Sequence, residues 1–390
     1  MNTATASAPG RQLAINRLRS QRPLTPATID RFLAAHDVPI IEGEHATFLF
    51  RGEADEVELR HGVVGVPGRL PLRRIARTDL WFLVMTLPAG SRVEYRLAFR
   101  RGDTHHDVDD PLNPRRAHNP FGSNAVCHGV GYQTPTWTLP DPAAPPGRIE
   151  EMTLPSKALG RECAVTLYLP AGMLDTGGHP LLVVHDGGDY LTYSAAKHVL
   201  DNLIHRNEVT EVVAAFLHPS DRLVEYADDE RHARFVSEEL VPHLERELPL
   251  AGQREGRCLM GASFGAVASL ATAWRYPEAY GSLVVQSGSF VFADEGADHG
   301  GGPVFDPVVD FVNRYRASPR RVADRVFVSC GAYEPLIGPN REMVPVLEAT
   351  GMDVRFVEAL DGHNWENWRD RLRAALTWVY PGPNGPDDLD

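Results

Sequence analysis

Short apolar runs alternate with helical stretches over the second half of the chain. The runs that predict strands are 164–169, 181–185, 211–216, 257–260, 282–286, 326–329 and 354–358. The clearest predicted helices cover 230–248, where Pro242 introduces a kink, 266–276, which Pro277 ends, and 365–379. Such alternation is typical of a mostly parallel sheet with covering helices. We therefore predict an α/β domain with a mostly parallel central sheet over residues 149–382.

The preceding segment has a different pattern. Its strand-like runs are 46–51, 56–60, 81–87 and 92–99, each followed by turn residues such as Arg51-Gly52 or Pro88-Ala-Gly90. Short strands at this spacing without long helices predict a small β-sandwich of the immunoglobulin-like type over residues 38–140.

Two kinds of segment flank these domains. Residues 1–37 form an N-terminal extension, in which Thr25 is placed to cap a helix that starts at Pro26. The stretch 138–148 carries four prolines and a glycine, and we assign residues 141–148 as a stiff linker. Residues 383–390 are predicted to be a disordered tail.

Charge and composition exclude several classes of partner. The net charge is -13 and no basic tract is present, so we expect no nucleic-acid partner. No window approaches the roughly 18 apolar residues that span a bilayer, so we expect no membrane association. The N-terminus has no apolar core of a signal peptide, which predicts a cytoplasmic protein.

The four cysteines are scattered without a CxxC pair, and most of them lie in or beside predicted strands. We expect them to be small buried hydrophobic residues in a reducing compartment. Neither a metal site nor a cofactor is predicted.

The motif Gly261-Ala-Ser-Phe-Gly265 is the strongest candidate for chemistry. Gly-x-Ser-x-Gly alone is a weak signal, but here a predicted strand leads into it and a predicted helix leaves it. That context is a nucleophile elbow, a sharp turn that lifts the serine hydroxyl above the sheet. We predict Ser263 as a nucleophile, with the backbone amides of Phe264 and Gly188 as an oxyanion hole.

A nucleophilic serine needs a general base. His363 lies in the loop after the last predicted strand, at the edge of the sheet where the serine is expected. The other histidines that we considered lack such a placement and are predicted to lie at the surface. They are His105, His106, His198, His205 and His232.

The base in turn needs an acid to orient it. Glu334 follows the predicted strand 326–329 and falls between Ser263 and His363 in chain order. Asp361 is closer in sequence to His363, although a separation of two residues makes the geometry awkward. Glu334 is our prediction, and Asp361 or a serine–histidine dyad are the alternatives.

These motifs together resemble the putative-esterase family, in particular the enterochelin (enterobactin) esterases. The resemblance rests on four motifs of the second half and one stretch of the first. They are Val184-His-Asp-Gly-Gly-Asp-Tyr190, Gly261-Ala-Ser-Phe-Gly265, Gly331-Ala-Tyr-Glu-Pro335, Asp361-Gly-His-Asn-Trp-Glu-Asn-Trp368, and Asp110-Pro-Leu-Asn-Pro114 followed by Asn119-Pro-Phe-Gly-Ser-Asn-Ala-Val126. Their common order and spacing make the resemblance specific.

The resemblance implies a serine esterase that hydrolyses ester bonds of a ferric catecholate siderophore, with Ser263, His363 and Glu334 as its triad. It also implies that Arg222 binds an anionic group of the substrate, although an ion pair with Glu225 or another neighbour explains this arginine equally well. Two alternatives remain open. The triad can serve a feruloyl, acetyl or other acyl ester, or acyl transfer, and a catalytically silent binding protein can keep the same fold.

Overall fold

The computed structural model describes residues 12–173, 177–293 and 302–385. The chain divides into two compact units, with the boundary between Gln133 and Thr134. None of the helices in these described ranges is long and apolar enough to span a bilayer.

The first unit contains two helices and two antiparallel sheets. The helices are α1 (Ala14–Ser20) and α2 (Pro26–Ala34), and the strands are β1 (Ile40–Glu42), β2 (His45–Arg51), β3 (Glu56–His61), β4 (Arg69–Pro71), β5 (Arg73–Arg74), β6 (Leu80–Thr86), β7 (Arg92–Arg101), β8 (Thr104–Val108), β9 (Arg116–Asn119) and β10 (Gly122–His128). One sheet has the order β1-β2-β6-β5. The other has the order β4-β3-β7-β10-β9, with β8 paired to β7.

Aromatic contacts join the two sheets of the first unit. Phe48 of β2 meets Tyr95 of β7 edge to face, with 4.8 Å between the ring centroids. Phe50 and Phe99 lie 5.0 Å apart. Phe48 and Tyr95 are almost completely buried, so these rings form part of the core of the unit.

The predicted start of α2 is confirmed. Thr25 occupies the N-cap position, and its hydroxyl accepts a hydrogen bond of 3.2 Å from the backbone N–H of Thr28. Pro26 stands at the first helical position, where its missing N–H needs no partner. Ile29 is buried against the first unit's core, and Phe32 packs beside it.

The second unit is built on one sheet of eight strands. They are β11 (Arg148–Ser156), β12 (Arg161–Leu169), β13 (Leu181–Val184), β14 (Val213–Leu217), β15 (Arg257–Ala262), β16 (Ser282–Gln286), β17 (Arg325–Gly331) and β18 (Asp353–Ala359). The order is β11-β12-β14-β13-β15-β16-β17-β18. The pairs β11·β12 and β12·β14 are antiparallel, and every pair from β14 to β18 is parallel.

All of the strands predicted between 164 and 358 are present, but β11 was missed. Most of its side chains are exposed and it contains Pro155. It lies at the edge of the sheet, where a proline and a solvated face are tolerated. Such a strand gives neither an apolar run nor a clear alternation.

Helices cover both faces of this sheet. They are α3 (Gly187–Tyr193), α4 (Ala196–His205), α5 (Arg222–Glu225), α6 (Glu230–Arg234), α7 (Val241–Glu247), α8 (Phe264–Arg275), α9 (Asp306–Ala317), α10 (Ile337–Glu348) and α11 (Trp365–Val379). The buried side chains form two large apolar clusters, one of which includes α8 and the other α4 and α11.

The helix predicted over 230–248 is present over 230–247, with a change of winding inside it. Residues Phe235–Leu240 form a π-helical turn between α6 and α7. Pro242 follows this turn and has no N–H to give to the preceding winding of the helix. The sequence thus placed the irregularity close to Pro242, and the structure shows it as a change of winding.

The proline-rich stretch 138–148 belongs to the second unit. Asn202 of α4 donates hydrogen bonds of 2.8 Å to the carbonyl groups of Trp137 and Leu139.

The four cysteines are buried and free, as predicted.

Candidate active site

Ser263 stands between β15 and α8 in a strained backbone conformation. Its φ of 57° and ψ of -120° lie outside the regions that L-residues favour, and such a conformation costs about 1–3 kcal/mol. The backbone N–H of Ser263 donates to the carbonyl of Gln286 at 2.9 Å, which fixes the turn to the neighbouring strand β16. The predicted strand–serine–helix geometry is therefore present.

Two glycines make this sharp turn sterically feasible. A Cβ on Gly261 would lie 2.4 Å from the carbonyl carbon and oxygen of Gly265. A Cβ on Gly265 would approach the Cβ of His185 to 3.1 Å and a carboxylate oxygen of Asp186 to 3.4 Å. The first contact is impossible without moving backbone, so Gly261 cannot be replaced at low cost.

The loops after β17 and β18 bring Glu334 and His363 together. The Nδ1 atom of His363 is hydrogen bonded to Oε2 of Glu334. The other carboxylate oxygen of Glu334 accepts from the hydroxyl of Ser287 at 2.6 Å and from the backbone N–H of Gly331 at 2.7 Å. Glu334 is 1% exposed, whereas the side chain of His363 is 34% exposed.

The hydrogen bonds keep the Glu334 carboxyl in its charged form. Burial alone would raise its pKa, but the hydrogen bond and charge of His363, with the donors Ser287 and Gly331, lower the pKa below its usual value. A charged, fully buried carboxylate against Nδ1 is suited to hold the imidazole in one tautomer and to stabilise its protonated form.

Asp361 has a different environment. Its Oδ1 atom accepts hydrogen bonds from the backbone N–H of Gly362 at 2.7 Å and from the side chain of Asn364 at 2.8 Å. Its backbone carbonyl accepts from the N–H of Tyr333 at 3.0 Å. These contacts shape the loop that carries His363.

The hydroxyl of Ser263 bonds another serine in this structure. Its Oγ atom lies 3.2 Å from Oγ of Ser289, which follows β16. Within residues 12–173, 177–293 and 302–385, no hydrogen bond joins Ser263 to His363. Nucleophile and base are often misaligned in the absence of substrate and come together in the complex.

The two predicted oxyanion donors lie at helix starts that follow adjacent strands. Phe264 is the first residue of α8, and Gly188 is the second residue of α3. Their N–H groups belong to first helical turns, which have no acceptor inside the helix. Strands β13 and β15 are parallel neighbours with Val184 opposite Met260, so both helices start at the same edge of the sheet.

Arg222 lies beside this edge and is paired with Asp186. Its Nε and Nη2 atoms donate to the two carboxylate oxygens of Asp186, both at 2.8 Å. Burial opposes the charge, but the bonds to Asp186 raise the pKa of Arg222 above its usual value. The alternative partner Glu225 is instead bonded to Arg161 at 2.6 Å.

His232 is buried, so the prediction that it lies at the surface is wrong. It is 3% exposed, and its Nε2 atom lies 3.1 Å from Nε2 of His185, which is fully buried. Nδ1 of His185 lies 3.1 Å from both the carbonyl of Met260 and the hydroxyl of Ser269. The burial of His232 comes from contact with His185, which is distant in sequence, and periodicity alone does not predict such a contact.

Several polar residues around the site were not predicted from the sequence. They are Asp186, Ser287 and Ser289. All three follow strands β13 and β16 at the carboxyl edge of a parallel sheet, where functional side chains gather. Their position directly after these strands is the sequence signal that could have identified them. Within the described ranges, no group of three or more His, Cys, Asp or Glu side chains is arranged to hold a metal ion.

Comparison with known proteins assigns the chain to a family. The sequence profile described as "Putative esterase" matches residues 156–379. Among individual sequences, the uncharacterized protein YjcH of Bacillus subtilis is 26% identical over 238 residues, covering 59% of this chain and 96% of that protein. The iron(III) enterobactin esterase of Escherichia coli O6:H1 is 24% identical over 331 residues, covering 78% of this chain and 80% of that enzyme.

Solved structures give the same result for the fold. The enterobactin esterase FES of Shigella flexneri, crystallised in the presence of enterobactin, superposes with a TM-score of 0.70 at 21% identity. The alignment covers 86% of this chain and 92% of that one. With the profile match over more than half of its length, this chain belongs to the esterase family and is a carboxylic ester hydrolase.

Proposed function

We propose that this chain cleaves carboxylic esters with Ser263 as nucleophile, His363 as general base and Glu334 as the acid that orients the base. The observation that carries the proposal is the hydrogen bond between His363 Nδ1 and the buried carboxylate of Glu334, beside a serine held in a strained elbow.

The reaction follows from these positions. Oγ of Ser263 attacks the ester carbonyl while Nε2 of His363 takes its proton, and Glu334 stabilises the imidazolium. The amides of Gly188 and Phe264 donate to the oxyanion. The tetrahedral intermediate collapses as His363 returns the proton to the leaving alcohol, which leaves an acyl-enzyme. Water, activated by the same histidine, then releases the acid.

We further propose the finer architecture expected from the sequence. The catalytic domain is an α/β hydrolase over 149–382, with a mostly parallel sheet. Residues 38–140 form a β-sandwich like the N-terminal domain of enterochelin esterases, and 141–148 form the linker. The parallel pairing of the strands from β14 to β18 and the contacts between the antiparallel sheets of the first unit support this arrangement.

For the substrate, we propose an ester of a catecholate siderophore, free or as its iron(III) complex. The relatives called iron(III) enterobactin esterases support this class. Arg222 supports it as well, because its partly exposed guanidinium has N–H donors beyond the two that bind Asp186, and these can donate to an anionic group. The charge of the whole chain is negative, but recognition depends on the local field at the site.

Two measurements test these proposals separately. Hydrolysis of p-nitrophenyl butyrate should be lost in Ser263→Ala and kept in Ser282→Ala, which removes a buried hydroxyl from the far end of β16. Full activity of Ser263→Ala would refute the nucleophile. Mass spectrometry after incubation with enterobactin, its ferric complex and methyl ferulate in parallel tests the substrate. Cleavage of methyl ferulate alone would favour a general acyl esterase.

A further inference from the structure

A chain of hydrogen bonds connects Trp368 with His363. The indole Nε1–H of Trp368 donates to Oγ of Ser287 at 2.9 Å, and the hydroxyl of Ser287 donates to Oε1 of Glu334 at 2.6 Å. The other oxygen of Glu334 is bonded to Nδ1 of His363. Trp368, Ser287 and Glu334 are 5%, 0% and 1% exposed, so water does not compete for these bonds.

The chemistry of the groups fixes the direction of each bond. An indole N–H can only donate and a carboxylate can only accept. Ser287 therefore accepts from Trp368 and has its single proton left for Glu334. With the N–H of Gly331 as a second donor to Oε1, that oxygen is engaged twice. Oε2 is left to face the imidazole, which sets the rotation of the carboxylate.

The backbone of Ser287 is itself held in an unusual conformation. Its φ is 46°, in the left-handed region that residues other than glycine seldom occupy. The N–H of Ser287 donates to the carbonyl of Ser329 at 2.6 Å, which ties the turn to the neighbouring strand β17. A strained, fully buried serine aimed at a carboxylate indicates a position kept for function.

Trp368 is anchored on two further sides. Its backbone carbonyl accepts a hydrogen bond of 3.0 Å from the side chain of Gln286, and the oxygen of that side chain accepts from the hydroxyl of Tyr190 at 2.7 Å. The ring of Trp368 stands perpendicular to the imidazole of His363, with 5.0 Å between the centroids. One residue of α11 thus contacts the base directly and the acid through Ser287.

We propose that Trp368 and Ser287 are positioning residues that hold the Glu334 carboxylate in the orientation in which it receives His363. The inference rests on the proposed triad and extends it by two residues that do not touch the substrate. Besides His363, the thiol of Cys330 faces Glu334, and burial and the charge of Glu334 raise the pKa of this thiol. That thiol stays neutral over the working range of an esterase.

Ser287→Ala removes one donor from the carboxylate. Without it the anion is less stabilised and holds the imidazolium proton more tightly, so the acid limb of the pH profile of kcat/KM should move upward by about 0.5–1 pH unit. The maximal kcat/KM should fall about 10- to 100-fold, as expected for a lost charge-assisted hydrogen bond. Trp368→Phe keeps the ring but removes the N–H, and should cause a smaller change in the same direction.

Matched variants separate positioning from packing. Ser282→Ala removes a buried hydroxyl at the other end of the same strand, and Trp378→Phe makes the same ring change at the end of the same helix. Both should leave the pH profile unchanged. In the double variant Ser287→Ala/Trp368→Phe, the loss of Trp368 should add little, because its hydrogen bond acts through Ser287.

The outcomes distinguish this inference from the proposed function. Full activity of Glu334→Gln and His363→Ala would refute the triad itself. With the triad intact, either of two results would overturn the positioning role. One is an acid limb of the pH profile in Ser287→Ala and Trp368→Phe that is the same as in the wild-type protein. The other is a strictly additive loss of kcat/KM in the double variant. If Ser287→Ala does not fold, NMR of the wild-type protein provides the test. The indole N–H resonance of Trp368, assigned through its contact with His363, must titrate together with the acid limb, and a pH-independent resonance would overturn the inference.

Discussion

Asp186 holds Arg222 by two parallel hydrogen bonds, both 2.8 Å long, directly beside the nucleophile elbow. The carboxylate is 3% exposed and the guanidinium 34% exposed, so one end of the pair is buried and the other reaches solvent. The guanidinium also lies 5.8 Å from the ring centroids of Phe264 and Tyr226. This arrangement holds the guanidinium in one orientation at the site and leaves it N–H donors beyond the two that bind Asp186.

Asp186→Asn should therefore weaken recognition of an anionic substrate more than it weakens catalysis. We expect KM for the ferric siderophore ester to rise about 10-fold. For the neutral ester p-nitrophenyl butyrate, kcat/KM should change less than about 3-fold. The reason is that the lost charge-assisted bonds orient the guanidinium and not the triad. Steady-state kinetics on both substrates measures this split.

The exposed pair of Glu358 with Arg341, which has the same two-bond geometry, provides the control. Glu358→Gln should leave the kinetic constants for both substrates unchanged and should lower the free energy of unfolding by less than about 1 kcal/mol. Equal losses of kcat/KM with both substrates in Asp186→Asn would contradict the role assigned to the Asp186–Arg222 pair.

Gly261→Ala should prevent the elbow from forming. The added methyl carbon would lie 2.4 Å from the backbone of Gly265, and relief requires moving α8 away from β15. We expect a loss of about 2–3 kcal/mol or more in the free energy of unfolding, measured by urea denaturation, together with loss of activity.

Gly338 near the start of α10 is the matched control, because a Cβ there meets nothing within 4 Å. Gly338→Ala should be neutral or stabilise by up to about 1 kcal/mol. A Gly261→Ala protein as stable and active as Gly338→Ala would show that strand and helix do not need this close approach.

Glu334→Gln and Asp361→Asn should have unequal effects. Glu334→Gln keeps the shape but removes the charge that stabilises the imidazolium, and kcat should fall by about two to four orders of magnitude. Asp361→Asn keeps an acceptor for Gly362 and Asn364, so kcat should fall by less than about 10-fold. Pre-steady-state and steady-state rates with p-nitrophenyl butyrate check both values, and the reverse order would identify Asp361 as the acid.

Local pattern was sufficient for part of this structure. The strands after residue 160, the cap at Thr25 and the turn around Ser263 depend on residues adjacent in sequence, so periodicity and turn chemistry predicted them. The edge strand β11 was missed because solvent exposure and Pro155 remove its apolar signal.

The contacts that complete the site could not be predicted from the sequence, for a different reason. Ser287 meets Trp368 across 81 residues, and Asp186 meets Arg222 across 36. No local pattern encodes such pairs, since they depend on how strands and helices pack. His232 was misplaced for the same reason, because its burial depends on contact with His185 from another element.

The buried carboxylate of Glu225 should make the stability of the protein depend on acid pH. Burial opposes its charge, but His232, whose Nδ1 atom lies 3.7 Å from a carboxylate oxygen of Glu225, and hydrogen bonds from Arg161 and from the N–H groups of Asp221 and Ser220 lower its pKa from 4.5 to about 2. A group whose pKa is lower in the folded state stabilises the fold above its unfolded pKa, and this contribution is lost as the pH falls toward the folded value. For Glu225 the window runs from about pH 4.5 down to about pH 2.

Glu225→Gln removes this contribution. At pH 7 the variant should be less stable than the wild-type protein by about 2–3 kcal/mol in urea denaturation, and the difference should shrink steadily as the pH is lowered from about 5 to about 3. Glu358→Gln, at an exposed ion pair, should show a difference of less than about 1 kcal/mol throughout. A constant difference in the free energy of unfolding between the wild-type protein and Glu225→Gln over this pH range would contradict this prediction. It would mean that the shape of the Glu225 side chain, and not its charge, stabilises the segment of residues 220–226.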